Sequence, residues 1–145
     1  MSELVVIVEI GQRRAALPTG DVQSVVELEA ISVVPRAPAF VLGLTALRSS
    51  TLTVIDAATA IGLPPSGMPA PGTRAVIVDQ AGHRYALVVD AIDDVAAVLG
   101  DPAAVPGDAG PGWDRVSAGL IETDRGPAVL IDLGALLAGP LHTAA

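Results

Sequence analysis

RAVIVDQAGHRYALVVD, residues 74–90, decides the fold class. Two aliphatic, β-branched runs, 74–80 and 84–90, flank Ala81-Gly82-His83. Branched side chains are stiff at χ1 and pack well on a pleated surface, so such runs favour extended chain. A short Gly-containing interruption between them predicts a β-hairpin.

The same grammar runs outward in both directions. LVVIVEI (4–10), a turn over 11–14 and a return strand from Ala15 predict another hairpin. DVQSVVELE (21–29) fits a strand or a short helix, and its valines favour extended chain. In VVPRAPAF (33–40) two prolines suppress helix. VLGLTALRS (41–49) reads as a strand whose Gly43 marks a bulge or a close backbone approach, and TLTVID (51–56) as the next strand. AATAIG (57–62) predicts one helical turn closed by Gly62. Residues 63–73, LPPSGMPAPGT, hold four prolines and two glycines and predict a long surface loop.

Downstream of the hairpin, AIDDVAAVL (91–99) continues as a strand or short turn, and residues 100–113 predict a second Gly/Pro/Asp loop. RVSAGLIET (115–123) and GPAVLID (126–132) predict a last strand pair around Asp124-Arg125-Gly126. Asp132 is placed to cap a short C-terminal helix, LGALLAG. Roughly eight to ten short strands with turns every ten or so residues indicate an all-β barrel or sandwich, not βαβ units. No solenoid repeat stands out, but an aliphatic strand ending in Asp recurs at Asp56, Asp90 and Asp132.

Composition narrows the chemistry. The chain has 145 residues, enough for one domain or two small fused lobes, and its aromatic content of 2% means an aliphatic core. No cysteine is present, which excludes disulfides, thiolate–zinc sites and thiol catalysis. His83 and His142 lie far apart, so a histidine metal site is not expected. A net charge of −8 offers no basic footprint for nucleic acid, and an anionic membrane surface would repel it. The N-terminal apolar run is too short to span a bilayer and lacks the marks of a signal peptide, so a cytoplasmic protein without direct membrane insertion is expected.

Three strand-terminal aspartates raise the possibility of a carboxylate pair, as in a small acid hydrolase using Asp56 and Asp90. The simpler account is that Asp ends strands because its carboxylate bonds nearby backbone N–H groups. No nucleophile elbow, P-loop or dinucleotide fingerprint accompanies them, so no catalytic residue and no cofactor is expected. Arg48 follows an uncharged stretch; it either stands exposed at a strand end or pairs with a carboxylate within a contact surface. Phe40 and Trp113 are read as loop aromatics folded back to plug a barrel end, interface anchoring being the other role open to them.

Two blocks together resemble CheW-like domains. In VPRAPAFVLGLTALRSSTLTVID (34–56), Pro35, Pro38, Phe40, Gly43, Leu47, Arg48, Val54, Ile55 and Asp56 match the family pattern. In AVIVDQAGHRYALVVDAIDDV (75–95), Val88, Val89, Asp90, Ile92 and Val95 match. The final strands and helix are similar too, so the likeness covers nearly the whole chain. It implies a single domain over 1–145 of two packed, intertwined five-stranded SH3-like barrels with a short C-terminal helix. It also implies a non-enzymatic adaptor that couples chemoreceptor cytoplasmic tips to the regulatory domain of a CheA-type histidine kinase in receptor arrays at the inner membrane. The same fold serving surface motility or development is the alternative. The implied partner-binding residues are Val22, Ser24, Gly43, Arg48, Ser49, Ala75, Ile92 and Val95. Departures are plain: the usual Asn-Leu-Arg-Gly reads Ala46-Leu47-Arg48-Ser49, and Asp-Leu reads Asp56-Ala57. Ser24 stands where the family carries a Glu that pairs with the signature Arg, so Glu27 or Glu29 would replace it.

The 63–73 reading has a direct test. Deleting residues 64–71 leaves cooperative unfolding intact, because closure entropy changes by only ~0.6 kcal/mol per doubling of loop length. A urea melt that loses cooperativity in the deletion variant would show that the loop packs.

Overall fold

The computed structural model describes residues 3–65, 67–105 and 110–140. Its strands are β1 (Leu4–Ile10), β2 (Arg13–Pro18), β3 (Val22–Glu27), β4 (Val41–Leu47), β5 (Ser50–Asp56), β6 (Arg74–Gln80), β7 (His83–Val88), β8 (Ala91–Ala97), β9 (Ser117–Thr123) and β10 (Gly126–Ile131). Three short helices join them: α1 (Ala57–Ile61), α2 (Pro111–Val116) and α3 (Leu133–Leu137). The strands form two five-stranded sheets, ordered β8-β1-β2-β10-β9 and β3-β6-β7-β5-β4.

The connectivity crosses over between the sheets. Hairpin β1–β2 builds one sheet, but β3, which follows it, pairs with β6 of the other. Hairpin β6–β7 builds the second sheet, and β8 returns to pair with β1. Neither sheet is a closed barrel. Each approaches closure through isolated bridges beyond its strands, Ser32↔Leu44 in one and Val98↔Thr123 and Ala103↔Leu120 in the other.

The two lobes repeat one design. Gly43-Leu44 and Gly119-Leu120 stand equally far ahead of Asp56 and Asp132, and each Gly-Leu pair receives a crossing segment. A Cβ at Gly43 (φ 148°) would lie 2.3 Å from Ser32 O, and one at Gly119 (φ 130°) 3.1 Å from Ala103 O. Both positions therefore exclude a side chain where the backbones meet. The register also shifts between Val41 and Gly43, so the bulge and the close approach coincide there.

Side-chain alternation explains the unbroken apolar runs. In β1, Val5 and Ile7 enter the core of their own lobe, while Val6, Val8 and Ile10 enter a cluster shared with the other sheet. In β6, Ala75 and Ile77 point into their own lobe, and Val76 and Val78 join that shared cluster. These strands are buried on both faces, which removes the polar alternation of a half-exposed strand. Burial is worth ~1.5–3 kcal/mol for each such side chain.

Two-residue turns close the hairpins. Ala81 (φ 52°) and Gly82 (φ 80°) connect Gln80 to His83, so His83 opens β7 and lies just past the turn itself. Positive φ at both central residues matches the right-handed strand twist. β3 and β8 are strands, and α1 ends at Gly62 in the left-handed conformation. Residues 63–65 and 67–73 contain no strand or helix.

The predicted loop over 100–113 needs correction at its end. Residues 106–109 lie outside the described residues, but Pro111–Val116 is helix α2, so β9 begins at Ser117 and not at Arg115. Pro111 sits at the first helical positions, and burial of Trp113 and Val116 overrides the poor helix propensity of Gly112. Trp113 is thus a buried helix residue, with Arg13 5.4 Å from its ring centroid. Phe40 is half-buried against the shared cluster.

Gly112 reports on the helix packing. A Cβ there would stand 2.1 Å from Ile61 O. Gly→Ala inside a helix ordinarily stabilises by roughly 0.5–1 kcal/mol, but overpacking costs ~1–3 kcal/mol and wins here. Gly112→Ala should therefore lower the urea midpoint, while Gly100→Ala, with no atom within 4 Å of the added carbon, leaves it unchanged or raised.

Candidate functional site: the seam and its edges

The expected contact residues fall into three groups. Val22 and Ser24 lie on β3, and Ile92 and Val95 lie on β8, the two strands that cross between sheets. Val22 and Ile92 are half-buried and both pack on the shared cluster, so the fold brings them to one seam. Ser24 is exposed beside Ile77, and Val95 is 45% exposed beside Val6. Arg48 and Ser49 are exposed and form the turn between β4 and β5, with Arg48 at a φ of 57°.

Two of the expected residues cannot offer a surface. Ala75 is fully buried because its Cβ points into the lobe core with Leu52, Ile77 and Ala86. Gly43 is buried under Ser32 O, where it serves backbone packing. The expected ion pair of Arg48 with Glu27 or Glu29 is also absent. Among the described residues the ion pairs are Arg84–Asp79 and Arg125–Asp94. Glu27 lies opposite Arg74 on β3, and the chain after it runs back along β4 through the Ser32↔Leu44 bridge and the Thr45 Oγ1 hydrogen bond to Ala30 O, but neither Glu27 nor Glu29 pairs with Arg48.

Asp90 and Asp132 accept from backbone N–H groups, and Asp56 accepts from a side-chain hydroxyl. Asp56 is 1% exposed and accepts a 2.6 Å hydrogen bond from Thr59 Oγ1 at the start of α1. Asp132 Oδ1 accepts from the Ala135 N–H at 3.2 Å and caps α3. Asp90 is exposed, and its Oδ2 accepts from the Gln12 N–H at 3.3 Å. Asp56 does not line the recess beside Asp90, so the two carboxylates form no catalytic pair there. No group of three or more candidate metal ligands occurs among the described residues; His142 lies outside them.

Sequence reasoning missed Arg115. Its guanidinium donates from α2 to Ala60 O of α1 and to Ala135 O of α3. A short helix leaves its final carbonyls without partners, and one planar fork satisfies two helices at once. The sole signal in the sequence is an arginine that follows Trp113-Asp114, which does not reveal its acceptors.

The crossed sheets share an apolar seam, and the crossing strands and the β4–β5 turn leave Ser24, Val95 and Arg48 exposed. Among the described residues, no helix is long and apolar enough to cross a membrane. The CheW-like domain model matches residues 4–140, and the chain belongs to that family. It is 31% identical over 108 residues to the probable chemotaxis protein CheW of Rhizobium etli, a match spanning 72% of this chain and 68% of that protein. The crystal structure of the scaffolding protein TtCheW from Thermoanaerobacter tengcongensis superposes with a TM-score of 0.80 at 26% identity, over 94% of this chain and 92% of that one. The family is a scaffolding family, not a catalytic one.

The structural role of Asp132 is testable. Asp132→Ala should destabilise by about 1 kcal/mol through loss of the cap, seen as a lower melting temperature. An unchanged melt would show that the carboxylate does not hold α3.

Proposed function

We propose that this chain is a bivalent adaptor, joining the cytoplasmic tips of chemoreceptors to the regulatory domain of a CheA-type histidine kinase. The observation that carries the reading is the family match across residues 4–140, which takes in both lobes and the seam. Val22, Ile92 and Val95 at the crossing strands supply apolar contact, with Ser24 exposed on β3. Arg48 and Ser49 supply a separate polar contact at the β4–β5 turn.

Holding two partners needs no chemistry. Once one surface is occupied, the second partner binds at an effective concentration set by tethering, which raises kinase occupancy at receptors. Such an adaptor works at receptor arrays on the cytoplasmic face of the inner membrane, recruited by its partners.

Arg48 separates binding from folding. It is exposed and in no ion pair, so Arg48→Glu should leave the melting temperature unchanged. An interface arginine contributes ~2 kcal/mol or more, so calorimetry should show affinity for the kinase regulatory domain falling roughly thirtyfold. Equal affinity of wild type and variant would remove Arg48 from the contact.

A further inference from the structure

Hairpins β1–β2 and β6–β7 repeat one another in sequence. Val6-Ile7-Val8-Glu9 matches Val76-Ile77-Val78-Asp79, Arg14 matches Arg84, and Ala16-Leu17 matches Ala86-Leu87, all at one constant spacing. The crossing strands keep that spacing, so Val22-Gln23 on β3 corresponds to Ile92-Asp93 on β8. Pairing repeats as well: Glu9 stands opposite Arg14, and Asp79 opposite Arg84.

The polar groups of the two copies differ. In the β6–β7 lobe they satisfy one another. Asp79 Oδ1 accepts from Arg84 Nε at 3.3 Å, and Asp79 Oδ2 accepts from Gln23 Nε2 at 2.5 Å. In the β1–β2 lobe Asp93 stands in the place of Gln23, and an ionised carboxylate has no proton to donate to Glu9. Glu9 and Asp93 are exposed and, among the described residues, in no ion pair. Arg14 reaches Gly126 instead, its Nη1 lying 3.4 Å from where a Cβ would stand. Its Nε and Nη2 are buried and have no hydrogen-bond partner. Buried donors left in that state carry their full desolvation cost.

A recess of about 330 Å³ opens here, with Glu9, Arg14, Ile92 and Asp93 in its lining. It combines unsatisfied guanidinium donors with unpaired carboxylate acceptors. An anion entering it meets Glu9 and Asp93, and a cation meets Arg14, so like charges oppose both. A neutral group with its acceptor and its donors on separate atoms meets neither objection. A carboxamide is such a group.

We propose that this recess receives the side-chain amide of a glutamine from a partner protein. The amide oxygen accepts from Arg14, and the amide nitrogen donates to Glu9 and Asp93, as Gln23 donates to Asp79 in the other lobe. Ile92 also packs on the shared seam, so a partner lying along the seam reaches the recess. The adaptor reading supplies the identity of that partner, and the chemistry of the site stands apart from it.

The test follows the Arg14 Nε–H resonance of the intact chain during titration with three alanine-based pentapeptides, carrying Gln, Glu or Leu at the centre. The Gln peptide should shift that resonance and the Ile92 methyl groups, and the other two should not. No shift with Gln, or equal shifts with all three, would overturn the site and leave Arg14 to solvent. Asp93→Gln supplies the missing donor from within the chain. At an exposed position, it should preserve the circular dichroism spectrum and weaken the Gln peptide about tenfold. An unweakened response in this variant would equally overturn the site. Wild type and Asp93→Gln are then titrated with a kinase regulatory domain and a receptor tip fragment. A tenfold loss for either partner supports the proposal, and unchanged affinity for both overturns it. If the Gln peptide binds while neither protein binds wild type, the site stands and the adaptor reading falls.

Discussion

The apolar seam between the two sheets is the constraint on which the rest depends. Val6, Val8 and Ile10 from one hairpin and Val76 and Val78 from the other enter a single cluster with Leu87, Val129 and Ile131. Each hairpin is thus buried on two faces, one in its own lobe and one in the seam. Because β3 and β8 each leave their own hairpin for the opposite sheet, neither lobe contains a complete sheet built from contiguous chain. The physical result is coupling: exposing the seam also costs each lobe an edge strand.

The helices secure the seam at one end. α1 and α3 follow equivalent strands, and α2 packs against both. Gly112 brings α2 against Ile61, and Arg115 satisfies carbonyls on both neighbours. Charge-assisted hydrogen bonds of this kind contribute about 1.5–3 kcal/mol each, comparable to burying an aliphatic side chain. One arginine and one glycine therefore do for these short helices what length and amphipathicity do for longer ones.

Such a rigid core leaves function to the edges. The crossing strands place Val22 and Ile92 at the seam in matching positions, so any partner meeting both lobes meets a geometry that the core determines. The turns at Arg48-Ser49 and Ala81-Gly82 lie away from the seam and are free to vary without disturbing it. The two lobes repeat one backbone design but differ at their turns, Gly11-Gln12 and Asp124-Arg125 in one and Arg48-Ser49 and Ala81-Gly82 in the other.

The sequence by itself determined the strands, the hairpin turns, the cap at Asp132 and the absence of thiol chemistry. Those features depend on local terms: β-branching, turn residues at fixed offsets and short-range hydrogen bonds. It also carried the family resemblance, because the Pro35-to-Asp56 and Val88-to-Val95 patterns are linear. Tertiary structure alone decided the exchange of β3 and β8, since pairing partners distant in the chain leave no local trace in a strand. It decided that Ala75 is core and Val95 is surface, although both are small aliphatic residues on strands, because exposure depends on which sheet lies over each face. It turned 111–116 into a helix against local propensity, since burying Trp113 and Val116 outweighs the cost of Gly112.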